Sequence, residues 1–296
     1  MYQNTLDKSS KKFICPNCGK RTFVRFVETE SGKYLAENFG RCDRESECRY
    51  YVHPVNEKMY FRAFKTPEEI PTSYISSEIM YKTENNYEEN NFVNFLLKHF
   101  DVKQVGRALE LYHIGTSKKW NGACVFWQVD NHNKIRTGKI MLYDKSNGKR
   151  IKEPYNHVNC SHKVLKIEDF NLKQCLFGLH RIIVELNKPI AIVESEKTAI
   201  IMSLVSPDFV WMATGSKGNF KFEMLKPIKK RNIVSFPDKG EYSNWLNKAT
   251  ELNSIGFKIG VSEILEQTDF ENGFDLADYY INEINSDYSE LPHRQR

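Results

Sequence analysis

No apolar run in this 296-residue chain is long enough to span a bilayer, which argues against a membrane-spanning helix and a membrane partner. The opening residues MYQNTLDKSSKK carry no apolar core behind their charges, so a soluble, cytoplasmic protein without a signal peptide is expected. A Walker-type Gly-Lys-Ser/Thr loop is also missing, as is any helicase motif after the last acidic segment. Basic residues are absent from 259–290, where nine acids stand without a single Lys or Arg. Cysteine is sparse and odd in number, seven in all, yet four fall within the first 48 residues. In a reducing compartment that clustering points to a metal rather than to disulfides. What is present is ordinary for a folded chain: 40% hydrophobic and 13% aromatic residues, too many for disorder.

The net charge of +5 conceals an asymmetry. Residues 134–152 hold seven Lys/Arg against Asp144, and residues 217–231 hold six against Glu223. Two basic segments flanking an acidic centre suit a polyanion gripped from both sides, and equally a pair of solvated loops.

The amino-terminal cysteines pair as Cys15/Cys18, within CPNCG, and Cys42/Cys48, within CDRESEC. The first pair forms a knuckle, a tight turn that aims two thiolates at one ion, and a second pair on a facing hairpin completes a zinc tetrahedron. The segments RTFVRFVETE and KYLAENFG are expected as strands of a zinc ribbon. The second pair is spaced by five residues rather than two, and His53 competes with Cys48 as fourth ligand. A unit of roughly 40 residues rarely folds without such a staple, and structural zinc supplies on the order of 10 kcal/mol. Arg21, Arg25, Arg41, Arg44 and Arg49 surround the site and are available for phosphates.

The expected domains are a zinc ribbon at 1–56, a polar linker at 57–90, an α+β subdomain at 91–185 and an α/β domain at 186–296. NNFVNFLLKHF and VKQVGRALELY have helical spacing; CVFWQVD and IRTGKIMLY read as a hairpin across DNHNK. Alternation on that hairpin puts Arg136, Gly138 or Lys139, and Trp127 near one surface, where Arg136, Lys139, Lys149, Arg150 and Lys152 are candidate nucleic-acid contacts and an aromatic could meet a base; Phe126 reads as core.

From residue 189 the pattern is regular: strand PIAIVE, helix SEKTAIIMSLV capped by Ser195, strand FVWMAT, strand RNIVSFPD, helix EYSNWLNKATELNSIG, strand FKIGVSEIL. Continuous apolar strands alternating with helices predict a parallel sheet of about four strands covered on both faces. Ligands in such sheets sit at the carboxyl ends of strands, where Glu194, Gly215 and Asp238 fall. Adjacent carboxylates repel unless a cation intervenes, and Mg²⁺ suits a site with few carboxylates and substrate phosphates. Asp275 extends the cluster or caps the helix LADYYINEI, and Asp278 is expected on a solvated helix face.

VESEKTAI resembles the first motif of the Toprim domain, the metal-binding fold shared by bacterial primases, topoisomerases and some nucleases. ATGSKG, SFPDKGE and FDLADYY are similar to the later Toprim motifs, and the order zinc ribbon, linker, hairpin subdomain, Toprim resembles that of bacterial and phage primases. The whole combination, with GRCDRESEC and RTGKIMLYD, resembles a primase-like Toprim family carried on bacterial mobile elements. The resemblance implies catalytic carboxylates at Glu194 and Asp238, Mg²⁺ held by these with Asp275 and Glu241, and phosphates at Lys197, Lys217 and Gly215. It implies single-stranded DNA as template and a replicative helicase supplied in trans. Two departures stand out: Gly240 occupies the second Asp of the Asp-x-Asp pair, and Thr198 the Asp four residues after the motif-one Glu. They leave open a catalytically degenerate DNA-binding module beside the nucleotidyltransferase, with a Toprim nuclease as a third reading.

Overall fold

The computed structural model describes residues 3–44, 47–54 and 70–282, divided between two compact units, 1–69 and 70–296. The first is a small antiparallel sheet, β1 (Asn4–Leu6), β2 (Phe23–Glu28), β3 (Gly40–Cys42) and β4 (Tyr51–Val52), paired in sequence order. KYLAENFG is not itself a strand: Tyr34 bridges to Val27, and only its last residue, Gly40, enters the third strand, GRC, where it pairs with Arg25. The buried cluster here contains Cys15, Phe23, Cys42 and Tyr50, a core too small to hold a fold unaided. Residues 57–69 of the expected linker lie outside the described residues.

The chain re-enters at residue 70, and Ile75 donates its amide to the Ile135 carbonyl at 2.9 Å. The short helix α1 (Ser77–Tyr81) then buries Met80. Two further helices follow, each begun by a side-chain cap: Asn90 before α2 (Asn91–Leu96) and Asp101 before α3 (Val102–Tyr112). Strands β5 (Ile114–Ser117), β6 (Ala123–Val129), β7 (Ile135–Met141) and β8 (Val158–Cys160) form an antiparallel sheet in that order, followed by the turn of helix α4 (Ser161–Val164). Every residue of β6 is buried, because both sheet faces are covered. Cys124 and Phe126 face α2 and α3; Val125 and Trp127 face a second cluster with Ile75 and Met80. Trp127 therefore belongs to the core and is 1% exposed, contrary to its expected place beside Arg136 and Lys139. Its cross-strand partner is Gly138, where a Cβ would sit 2.8 Å from the indole.

The parallel sheet comprises β9 (Ile190–Val193), β10 (Val210–Ala213), β11 (Ile233–Ser235) and β12 (Ile259–Val261), in the spatial order β10-β9-β11-β12. Helix α5 (Glu196–Val205) covers one face, against Ala191, Val193, Trp211 and Ala213. On the other face α7 (Tyr242–Ser254) lays Trp245, Ala249 and Leu252 over Ile190, Ile192 and Met212, beside the short helix α6 (Phe222–Leu225). Two-sided burial is why these strands read as unbroken apolar runs. One core cluster contains Phe126 and Tyr143 together with α5, so the two sheets of this unit share an interior. The fold is α/β, with a zinc-ribbon-type amino-terminal unit, an α+β middle region and a Toprim-like parallel sheet.

Candidate active site

Between β9 and β11 the chain diverges: β9 leads into α5 on one face of the sheet, and β11 into α7 on the other. Such a switch point opens a crevice at the carboxyl ends of the two strands. Glu194 follows β9 and Asp238 follows β11, so both edges of that crevice carry a carboxylate. The turn after β10 is laced to the same edge, with the Gly215 amide donating to the Glu194 carbonyl at 2.8 Å. Gly215 has φ +76°, and a Cβ there would lie 3.0 Å from Glu196 Oε1. The loop after Asp238 is tied to the last acidic segment, Lys239 N–H donating to the Phe274 carbonyl at 2.9 Å. That tie carries Asp275 into the crevice.

Glu194 and Asp275 both lie near enough to Asp238 to act on its charge. Burial, then Asp275 and Glu194, push the Asp238 carboxyl from 3.8 up to about 8, against the opposing pull of Lys197. Burial also raises Glu194, while the Lys217 backbone amide draws it down. Asp275 is held on both oxygens: Thr198 Oγ1 donates to Oδ2 at 3.0 Å, and the Asp278 amide donates to Oδ1 at 2.8 Å. The Asp275 carboxylate therefore caps the helical residues 276–282 and belongs to the cluster at once. Asp238, by contrast, accepts no side-chain hydrogen bond among the described residues. An ionised carboxylate in that setting needs a cation. Carboxylate oxygens are the donor type a hard divalent ion such as Mg²⁺ takes, but among the described residues only the four cysteines bring three or more ligand atoms close enough together to hold an ion.

Lys197 is buried, with its Nζ 2.9 Å from Asp278 Oδ1 and 3.3 Å from Asp275 Oδ2. Burial pulls its pKa down, and the two carboxylates more than offset this, so the ammonium is held charged. Asp278 is accordingly not a free solvated residue; it is half of an ion pair. Lys217 is exposed and binds Glu241 Oε1 at 2.9 Å, and Glu241 also accepts from Asn244. Gly240, at φ +87°, donates its amide to Glu266 Oε1 at 2.6 Å. Ser195 occupies the N-cap position of α5, but its side chain makes no capping bond.

Sequence reasoning missed Glu196. It is 1% exposed, and its Oε2 accepts from Lys139 Nζ at 2.9 Å, while the same ammonium donates to the Gly215 carbonyl at 2.9 Å. Lys139 is thereby drawn from β7 to the edge of the parallel sheet, close enough for its charge to favour ionised Glu194. Arg136 is likewise turned inward, paired at 2.7 Å with buried Asp130 and stacked over Tyr74. Lys149, Arg150 and Lys152 stay exposed.

In the amino-terminal unit the Sγ atoms of Cys15, Cys18, Cys42 and Cys48 lie within 4.8 Å of one another. Cys15–Cys48 and Cys18–Cys42 are 3.6 and 3.9 Å apart. A tetrahedral ion with Zn–S bonds of about 2.3 Å has S···S edges of about 3.8 Å, so the four thiols match that geometry. The Lys20 backbone amide draws the Cys18 thiol down to about 6, whereas burial holds Cys15 up at about 12. His53 is outside the set and packs edge-on against Phe26 at 4.9 Å. Arg25 stacks on Phe13 and Tyr34 rather than facing outward, and Arg44 pairs with Glu47.

Residues 2–64 match the zinc beta-ribbon finger family. The fold is similar to that of the RNA polymerase domain of Mycobacterium tuberculosis primase DnaG, at TM-score 0.46 and 10% identity over 73% of this chain and 80% of that one. The primase fragment of the bacteriophage T7 primase-helicase protein matches at TM-score 0.44 and 14% identity, over 94% of this chain and 97% of that one. The zinc-binding and RNA polymerase domains of Aquifex aeolicus primase match at 0.40 and 11%, over 96% and 79%. No curated protein matches the chain. Residues 90–239, half of the chain, match the family described as domain of unknown function DUF6371, and the chain belongs to that family.

Proposed function

We propose that the chain is a primase-like Toprim protein that carries out Mg²⁺-dependent nucleotidyl transfer on single-stranded DNA. The observation that carries this reading is the Asp238 carboxylate, set among Glu194 and Asp275 and lifted to about 8 by burial and by those neighbours. Mg²⁺ bound by Glu194, Asp238 and Asp275 would supply the Lewis acidity that polarises a triphosphate and activates a primer 3′-hydroxyl. The protein's own groups do the rest. Thr198 and the Asp278 amide fix Asp275, so that its carboxylate is oriented before substrate arrives. Lys139, steadied by Glu196 and the Gly215 carbonyl, presents a cation at the edge of the cleft, and Lys217 exchanges Glu241 for a phosphate oxygen. Exposed Lys149, Arg150 and Lys152 track the template backbone, and Zn²⁺ in the four-cysteine site holds the ribbon together. A helicase supplied in trans, in the replication or transfer of a mobile element, completes the role that the sequence resemblance implies.

A second reading, a non-catalytic DNA-binding module, is favoured by Thr198 and Gly240. Both stand where the active pattern has Asp, and both are engaged in local bonds, to Asp275 and Glu266. Template-directed synthesis from labelled nucleotides on single-stranded DNA with Mg²⁺, wild type against Asp238→Asn, separates the two. Product from the wild type alone supports transfer; no product from either, with DNA still bound, supports the binding module. Asp238-dependent degradation of the template would instead assign a nuclease.

A further inference from the structure

The face of the antiparallel sheet opposite α2 and α3 holds a cavity of roughly 440 Å³, floored by Val125, Trp127 and Ile140. None of its lining residues belongs to the acidic cluster. Its volume falls among those of small-molecule sites, roughly 300–1,000 Å³. The Trp127 indole N–H is already satisfied by Thr83 Oγ1 at 3.0 Å, so the floor offers an apolar surface with no polar demand of its own. Trp120 is half-buried on the wall, and Val164 leaves 37% of its surface exposed beside it. At the mouth, the Asn86 and Asn121 amides have no side-chain hydrogen-bond partner among the described residues. Lys82 and Lys118 stand there without an ion pair among the described residues, against the single acid Glu89.

An apolar slot, amides that both donate and accept, and two ammoniums at the entrance suit one chemistry: a planar heteroaromatic base bearing a phosphate. Amides match the mixed donor and acceptor edge of a base, and the excess of positive charge matches the phosphate. We propose that this cavity binds one nucleotide unit, its base over the Val125–Trp127–Ile140 floor and its phosphate at Lys82 and Lys118. A free mononucleotide and an unpaired nucleotide within a single strand share that chemistry.

The zinc-loaded protein, with no Mg²⁺ added, is titrated with AMP, adenosine and a short single-stranded oligonucleotide, following tryptophan fluorescence. Saturable binding of AMP or of the oligonucleotide is expected without Mg²⁺. Val164→Trp should fill the slot and weaken it at least tenfold. The pair Lys82→Ala/Lys118→Ala, at exposed positions that folding tolerates, should weaken AMP about tenfold and leave adenosine unchanged. Tighter binding of the oligonucleotide than of AMP assigns the occupant to a strand, and the reverse order to a free nucleotide; both support the site. If Val164→Trp does not fold, the lysine pair decides alone. Absence of saturable binding, or binding that ignores the pocket variants and vanishes in Asp238→Asn, would overturn the proposal. Because Mg²⁺ and the acidic cluster take no part, the outcome is independent of whether nucleotidyl transfer occurs.

Discussion

Replacing Asp238 by Asn should stabilise the Mg²⁺-free protein, and increasingly so with pH. The carboxyl titrates at about 8 in the folded chain against an ordinary 3.8. Folding therefore favours the protonated form, so the contribution to stability is fully present below 3.8 and lost as pH rises through about 8. At 1.36 kcal/mol per pKa unit the full span is at most about 6 kcal/mol. Solvent reaching a partly exposed carboxylate reduces this to about half, ~3 kcal/mol. For a unit of this size that is a Tm difference of roughly 6–12 °C at pH 9 in the zinc-loaded protein without Mg²⁺. Asn keeps the shape and removes the charge, and groups that titrate in both proteins cancel in the difference. Calorimetry from pH 5 to 9 should show the two Tm curves diverging towards high pH, and Mg²⁺ should close the gap by stabilising the wild type alone. Parallel curves without Mg²⁺ would refute the burial and crowding assigned to Asp238.

Three further outcomes follow from particular contacts. Lys197→Met leaves Asp275 and Asp278 without their cation and should cost about 3–5 kcal/mol in urea unfolding, much more than Lys217→Met at the exposed pair with Glu241. Gly138→Ala drives a Cβ to 2.8 Å from Trp127 and should cost about 1–3 kcal/mol, readable as a lower urea midpoint with unchanged slope. Elemental analysis should find about one zinc per chain, lost in Cys42→Ser, and a chelator should unfold the ribbon by removing on the order of 10 kcal/mol.

The elements most legible in the sequence were those with a one-dimensional signature. Apolar runs mark the parallel strands, so the sequence alone puts Glu194 and Asp238 at strand ends. The cysteine spacing marked the ribbon in the same way, although only the fold distinguished Cys48 from His53. Trp127 was misplaced because alternation identifies two faces but not which is covered, and both faces of β6 are. The pairs Lys139–Glu196 and Lys197–Asp278 lie 57 and 81 residues apart, and no local pattern records a contact made only once distant segments fold together. Glu196 stands within the VESEKTAI motif but had no role read from it, because a Glu at the first position of a helix is ordinary and its burial comes from β7 and the Gly215 turn.

The most direct test of the central claim, that Glu194, Asp238 and Asp275 form one divalent-cation site, is a Mn²⁺ titration followed by electron paramagnetic resonance. It is made on the zinc-loaded protein and on Glu194→Gln, Asp238→Asn and Lys149→Ala. One Mn²⁺ per chain, displaced by Mg²⁺, lost in the first two variants and kept in the third, is the predicted result. No saturable Mn²⁺ binding, or binding indifferent to Glu194 and Asp238, would contradict it.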